Sequence, residues 1–187
     1  MLEKLPAGLG QALRGLRPGL EKSAWEDERF QTVPNTLMVK SSAFDDSQPL
    51  PKRHTSDGGG VSPPLSWSGA PQGAASVALL VEDVDSPTPS PLVHAVAWNL
   101  PPEGELSAAE LAKDTSGPSL GWNSFGRTGW LAPDPPPGHG PHRYVFQLFA
   151  LDRTLEIEKQ PDRGALLRAM DGAVLAKGRL IGSYERS

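Results

Sequence analysis

Asp134-Pro135-Pro136-Pro137-Gly138-His139-Gly140-Pro141-His142-Arg143-Tyr144-Val145-Phe146-Gln147-Leu148-Phe149-Ala150-Leu151 begins as a loop locked by prolines and glycines and ends as the strongest strand signal in the chain. Proline fixes φ, and glycine permits the left-handed turns between the prolines. From 143 to 151 both faces are apolar, the pattern of a strand buried in the middle of a sandwich. Side chains alternate along a strand, so His142 and Tyr144 share a face at its mouth while Arg143 points the other way. A rigid loop that delivers an imidazole and a phenol to one side is the setting for a small binding site.

The flanking segments read as more of the same architecture. Residues 76–81 form an apolar run bounded by Gly73 and by acids, and predict a buried strand; residues 94–100 predict the next, stopped by Pro101-Pro102. Residues 36–41 read as a short strand, 45–60 as a loop, and 61–67 as a short apolar piece after Pro63-Pro64. Residues 107–113 predict one or two helical turns, and 116–141 a long irregular stretch of the kind that carries function. Leu166, Leu167, Met170, Val174 and Leu175 keep a helical period within 162–176, with Asp162 as N-cap. Residues 178–185 are the last strand.

At the N-terminus, Leu9, Leu13, Leu16 and Leu20 keep helical spacing within 7–25, with a break at Pro18-Gly19. The basic face of this helix (Arg14, Arg17, Lys22) is thin and acids follow it, so it packs on its own domain or across a homodimer rather than on a membrane. Residues 26–36 read as a polar linker. The chain therefore divides into an N-terminal helical extension and linker, 1–35, and a main domain, 36–187.

Composition narrows the class. A chain of 187 residues suits one domain with a real core, and 20 glycines and 20 prolines favour a loop-rich β protein over a helical bundle. Net charge is −4 and no basic stripe carries interleaved aromatics, which argues against nucleic-acid binding. The absence of cysteine excludes disulfides, thiolate metal sites and cysteine nucleophiles. No stretch reads as a signal peptide or a membrane span, so the cytoplasm is the expected compartment.

The chemistry concentrates in two places. Asp83 and Asp85 alternate with Val84 at the end of a buried strand, so in extended conformation they share a face, and His94 opens the next strand. If these ends meet the loop at 134–142, one site holds Asp83, Asp85, His94, His142 and Tyr144. Three readings compete. Two imidazoles and a phenol can donate to phosphate oxygens, and a neighbouring carboxylate favours the charged imidazole and can accept from an ammonium, so a zwitterion such as phosphoethanolamine fits better than a bare dianion. Two histidines and two aspartates are also a legitimate ligand set for a metal-dependent hydrolase, although no close motif such as His-Glu-x-x-His is present. The plainest reading is ordinary hydrogen-bonded turn chemistry. His54, beside Lys52 and Arg53, is expected to be solvated, and His139, between two glycines, to do no more than cap its loop. Neither a Gly-x-Ser-x-Gly elbow nor a Gly-x-x-x-x-Gly-Lys loop occurs.

Taken in order, Ser62-Pro63-Pro64-Leu65-Ser66-Trp67, Glu82-Asp83-Val84-Asp85-Ser86-Pro87, His94 with Asn99, Gly121-Trp122-Asn123 and the segment from Pro135 to Tyr144 resemble the phosphatidylethanolamine-binding protein family, in particular its bacterial Raf-kinase-inhibitor-like branch. The resemblance covers residues 36–186. It implies a mainly β fold, a Greek-key antiparallel β-sandwich with a few peripheral helices, and one anion pocket at the end of the sandwich. It places Asp83, His94, His142 and Tyr144 in that pocket, Asp85 and Pro87 in the adjoining turn, and Pro136 in its wall. It implies binding of phosphate-like ions or phospholipid headgroups, inhibition of kinases or serine proteases in some members, and neither enzymatic activity nor a cofactor. The sequence departs from the family at Asp134, where many bacterial members have cysteine, at His54, where the family has tyrosine, and at Leu92, where eukaryotic members have tryptophan. It also ends at Ser187, without the C-terminal helix that partly closes the eukaryotic pocket. The expected protein is thus a non-enzymatic binder of a small anionic or phosphorylated group through Asp83, Asp85, His94, Asp134, Pro136, His142 and Tyr144. A kinase or protease partner and a homodimer stay open.

Overall fold

The computed structural model describes residues 7–112, 117–157 and 159–186. Residue 113 of the expected helical turns, residue 116 of the long irregular stretch and the start of the N-terminal extension, 1–6, lie outside them. The described residues form nine strands and two short α-helices. They are α1 (Ala7–Leu13), β1 (Met38–Lys40), β2 (Gln48–Pro49), β3 (Leu65–Ser68), β4 (Ser76–Asp83), β5 (Leu92–Leu100), β6 (Gly104–Leu106), β7 (Ser119–Leu120), β8 (His142–Leu151), α2 (Arg163–Met170) and β9 (Val174–Tyr184). A three-stranded sheet runs β1-β3-β6 and a six-stranded sheet β2-β9-β8-β4-β5-β7. All pairings are antiparallel except β2 with β9.

The large sheet is buried on both sides, which explains why its central strands are apolar on both faces. On one side Val77, Leu79 and Val81 of β4 with Phe146 and Leu148 of β8 pack against Leu65 and Trp67 of the small sheet. On the other, Ala78 and Leu80 of β4 with Phe149 and Leu151 of β8 pack against Leu166, Leu167 and Met170 of α2 and against Ala24 and Phe30. Period-two alternation thus sends each strand into two separate cores.

Several boundaries differ from the sequence reading. The C-terminal helix stops at Met170, although apolar residues continue to Leu175, because Gly172 turns the chain with φ 69° and β9 begins at Val174. The Asp162 N-cap is as expected: its carboxylate accepts from the Ala165 amide at 2.8 Å. At the N-terminus the helix ends at Leu13, and Leu20–Lys22, Ala24–Glu26 and Glu28–Phe30 are 3-10 turns. The polar stretch read as a linker is anchored, because Phe30 is buried within it. Residues 107–112 make turns, not helix. Among the described residues no helix is long and apolar enough to cross a membrane.

Candidate functional site

Strand register brings Asp83, His142 and Tyr144 together at one end of the gap between the sheets. Asp83 is paired with Tyr144 across β4 and β8. Each is in phase with the residues of its strand that face the small sheet, Asp83 with Val81 and Tyr144 with Phe146. His94 arrives by another route. Ala95 faces the small sheet, and strict alternation would turn His94 to the opposite side. However, Val81 pairs with Ala95 and Glu82 with Val93, so His94 is the extra residue of a β-bulge. The bulge re-aims its side chain. The ring then meets Tyr144 edge to face, with centroids 5.0 Å apart.

A line of hydrogen bonds runs inward from the N-terminal helix. His139 Nε2 meets the Leu13 carbonyl at 2.9 Å, His139 Nδ1 meets His142 Nε2 at 2.7 Å, and His142 Nδ1 meets Asp83 Oδ2 at 2.7 Å. The two ends assign its protons. A carbonyl and a carboxylate only accept, so His139 donates from Nε2 and His142 from Nδ1. Two neutral rings would then meet lone pair to lone pair in the middle, so the pair holds one extra proton, balanced by Asp83. Burial, and after it the charge on His142, lower the pKa of His139. His139 is therefore the neutral ring, and His142 donates from both nitrogens.

Beside this line, polar atoms are buried without partners. Burial lowers the pKa of His94, and the Asp83 charge and the bond to Leu131 offset only part of that. The neutral ring donates Nδ1–H to the Leu131 carbonyl at 2.6 Å, which leaves Nε2 as an acceptor. Burial, with the Asp83 and Asp134 charges, raises the pKa of Tyr144 well above that of a free phenol, so its OH keeps its proton. His94 Nε2 and the Tyr144 OH are both buried and unpaired. Each such group costs about 1–3 kcal/mol.

The other expected site residues take different places. Asp85 does not join Asp83. The chain turns as the Asp85 amide donates to Asp83 Oδ1 at 2.9 Å, and the Asp85 carboxylate then meets Arg143 through Nε at 2.7 Å and Nη2 at 2.8 Å. Burial opposes its ionisation, but the bonds from Arg143 outweigh it and the pKa is lowered. Arg143 does point away from His142 and Tyr144, and takes Asp85 with it. Asp134 pairs with Arg186 at 2.7 Å and accepts from Ser56 at 3.0 Å. Pro136 is buried, and its carbonyl accepts from the His139 amide at 3.2 Å.

Two histidines depart from the sequence reading. His54 is buried rather than solvated: Nδ1 meets the Val61 carbonyl at 2.8 Å, and Nε2 is unpaired. The following loop folds back and covers it, which a count of neighbouring charges cannot foresee. His139 is buried too, and belongs to the central hydrogen-bond line rather than to a loop cap. Its spacing of three from His142 across Gly140-Pro141 was the available signal. Trp130, packed at the edge of the core, stacks on Phe146, lies 6.1 Å from the His94 ring, and donates to the His54 carbonyl at 3.3 Å. Among the described residues no group of three or more His, Cys, Asp or Glu side chains is arranged to hold a metal ion, so the metal-hydrolase alternative finds no support.

The family model of the phosphatidylethanolamine-binding proteins matches residues 40–185. A UPF0098 protein of Methanothermobacter thermautotrophicus is 40% identical over 153 residues, 80% of this chain and 99% of that one. Among solved structures, the chain is similar to CT736, a phosphatidylethanolamine-binding protein homolog of Chlamydia trachomatis, with TM-score 0.75 and 35% identity over 82% of this chain and 99% of that one. It is also similar to YbcL of E. coli, described as a member of the mammalian PEBP family, with TM-score 0.75 and 28% identity over 81% of this chain and 99% of that one.

Proposed function

The chain belongs to the phosphatidylethanolamine-binding protein family, and from that premise we propose that it is a non-enzymatic binding protein that takes a small phosphorylated group into the cluster of Asp83, His94, His142 and Tyr144. The observation that carries this reading is the pair of unpartnered buried atoms, His94 Nε2 and the Tyr144 OH, on rings in direct contact. One is an acceptor and the other a donor. A singly protonated phosphoryl group has both complements, a P–OH to give and P–O oxygens to receive. A bare dianion lacks the first. Asp83 holds and charges His142, whose second N–H becomes a further donor once His139 moves aside. A lipid headgroup and a phosphorylated side chain offer the same phosphoryl chemistry. Inhibition of a kinase or protease would then follow from capture of a partner's phosphoresidue, and such capture should depend on His94 and His142.

The test is an NMR titration with phosphoethanolamine that follows the histidine ring signals. Saturable shifts at His94 and His142, absent in His142→Ala, are expected. Unmoved signals at millimolar phosphoethanolamine would overturn the reading.

A further inference from the structure

The N-terminal extension is held in two different ways. Its inner part is anchored: Ala24 and Phe30 are buried in the core beneath α2. Its outer part, α1 and the turn after it, leaves Leu9 43% and Leu16 56% exposed, with Leu13 half-buried. What holds this part is polar. Arg14 Nε donates to the Gly138 carbonyl at 2.7 Å. Arg17 donates to the carbonyls of Pro141 and His139, each at 2.8 Å, and lies 3.2 Å from Asp85. Gly10 is buried against the same loop, so closely that a Cβ there would stand 2.0 Å from the Pro137 carbonyl oxygen. Between the two parts lies Pro18-Gly19, with Gly19 at φ 83°, a conformation natural to glycine alone. The result is a strap fixed at one end, jointed in the middle and hydrogen-bonded to the pocket loop at the other.

Its innermost contact reaches the site. Leu13 accepts from His139, and His139 in turn accepts the Nε2 proton of His142. A ring N–H has one proton to give. While His139 takes it, no ligand oxygen can.

We propose that residues 10–17 form an autoinhibitory strap: docked, they seat His139 on His142, and a phosphoryl group reaches His142 only when His139 and the strap withdraw. The inference rests on the binding function proposed above. Docking and ligand binding are then mutually exclusive at one atom, and linkage requires each to weaken the other by the same factor. A strap held by a few arginine bonds, most of them at the surface, is weak enough for a small ligand to displace.

The experiment uses the full chain as wild type, Gly10→Ala and the double variant Arg14→Ala/Arg17→Ala. Alanine favours helix, so Gly10→Ala disturbs docking rather than α1 itself; the double variant removes one exposed and one half-buried side chain outside both cores and stands in if Gly10→Ala misfolds. Amide hydrogen exchange of residues 9–17 reports the strap, and calorimetry with phosphoethanolamine reports the pocket. Expected are faster strap exchange in both variants, about tenfold tighter binding in both, and faster strap exchange in the wild type when phosphoethanolamine is added. Equal affinity in wild type and variants despite faster exchange would overturn the strap and leave the pocket standing. Slower or unchanged wild-type exchange on saturation would do the same. Absence of binding in all three proteins would overturn the binding function itself, and the gate with it.

Discussion

Glu82 and Asp83 are neighbours on β4, and they bury their carboxylates on opposite faces of the sheet for opposite ends. On the face toward α2, Glu82 Oε2 accepts from the Ala24 amide at 2.8 Å and from Gln147 at 2.7 Å, and Oε1 takes Arg163. Gln147 accepts from the Trp25 amide at 2.6 Å. Lys177 caps the Trp25 and Phe30 carbonyls at 2.9 Å each and lies over the Trp25 ring. The polar side-chain atoms of this cluster are matched. On the face toward the small sheet, Asp83 holds His142, but the rings beside it keep the unpaired His94 Nε2 and Tyr144 OH. A completed buried network fixes a structure; the incomplete one on the same strand is what the proposed binding function draws on. The first cluster ties residues 24–30 to the domain, and the second is the proposed ligand site.

The largest effect should come from breaking the completed side. Glu82→Ala strands Arg163, Gln147 and the Ala24 amide, and should cost about 3 kcal/mol in urea unfolding. Phosphoethanolamine affinity at 25 °C should stay within about twofold, because the change lies on the other face of the sheet. A variant that lost affinity while keeping stability would erase the distinction between the clusters.

Acid should find the incomplete side next. His54, His94 and His139 each have a pKa lowered chiefly by burial. Below the ordinary imidazole value of about 6.5 the unfolded chain takes up protons that these folded rings resist, so the unfolded state binds more protons. Stability is then intact above that pH and falls as the pH drops through the depressed folded values. Urea midpoints measured from pH 7.5 downward should decline through that window.

Tyr144→Phe separates stability from function more finely. It deletes an OH that has no partner in the folded chain. Stability should hold or rise by about 1 kcal/mol, while phosphoethanolamine affinity falls about tenfold. A stability loss in place of an affinity loss would mean that the hydroxyl is structural after all.

The two clusters were not equally legible in the sequence. His142, Tyr144 and Asp83 were, because one strand with strict alternation and one strand end carry them. His94 was grouped with them for an incomplete reason, since only the bulge between β4 and β5 turns it toward Tyr144. Asp85 was misplaced because alternation was carried two residues past the end of the strand, into a turn that the Asp83 side chain itself helps to make. Glu82 and Gln147 figured only within longer stretches, and Lys177 had no role assigned. Their partners lie on segments distant in sequence, and a polar residue inside an apolar strand shows its purpose only when the chain that covers it is in place. His139 stayed hidden for the same reason: half of its bonding comes from Leu13, 126 residues away.

Asp134 gives the finest test. It is a departure from the family pattern whose charge, after burial and Asp83, helps to keep Tyr144 protonated. Arg186 and Ser56 already hold it, so its field at the site is partly compensated and screened. Asp134→Asn keeps the shape and removes the charge. Inorganic phosphate should then bind about two- to threefold tighter, the size expected of one screened charge. Phosphoethanolamine should gain less, because its ammonium loses an attractive carboxylate as its phosphoryl group loses a repulsive one. Calorimetry with both ligands on wild type and variant reads the difference directly. Equal gains would place the ammonium away from Asp134. A smaller gain for phosphoethanolamine would make Asp134 the residue that tunes this pocket toward a zwitterion and away from a bare anion.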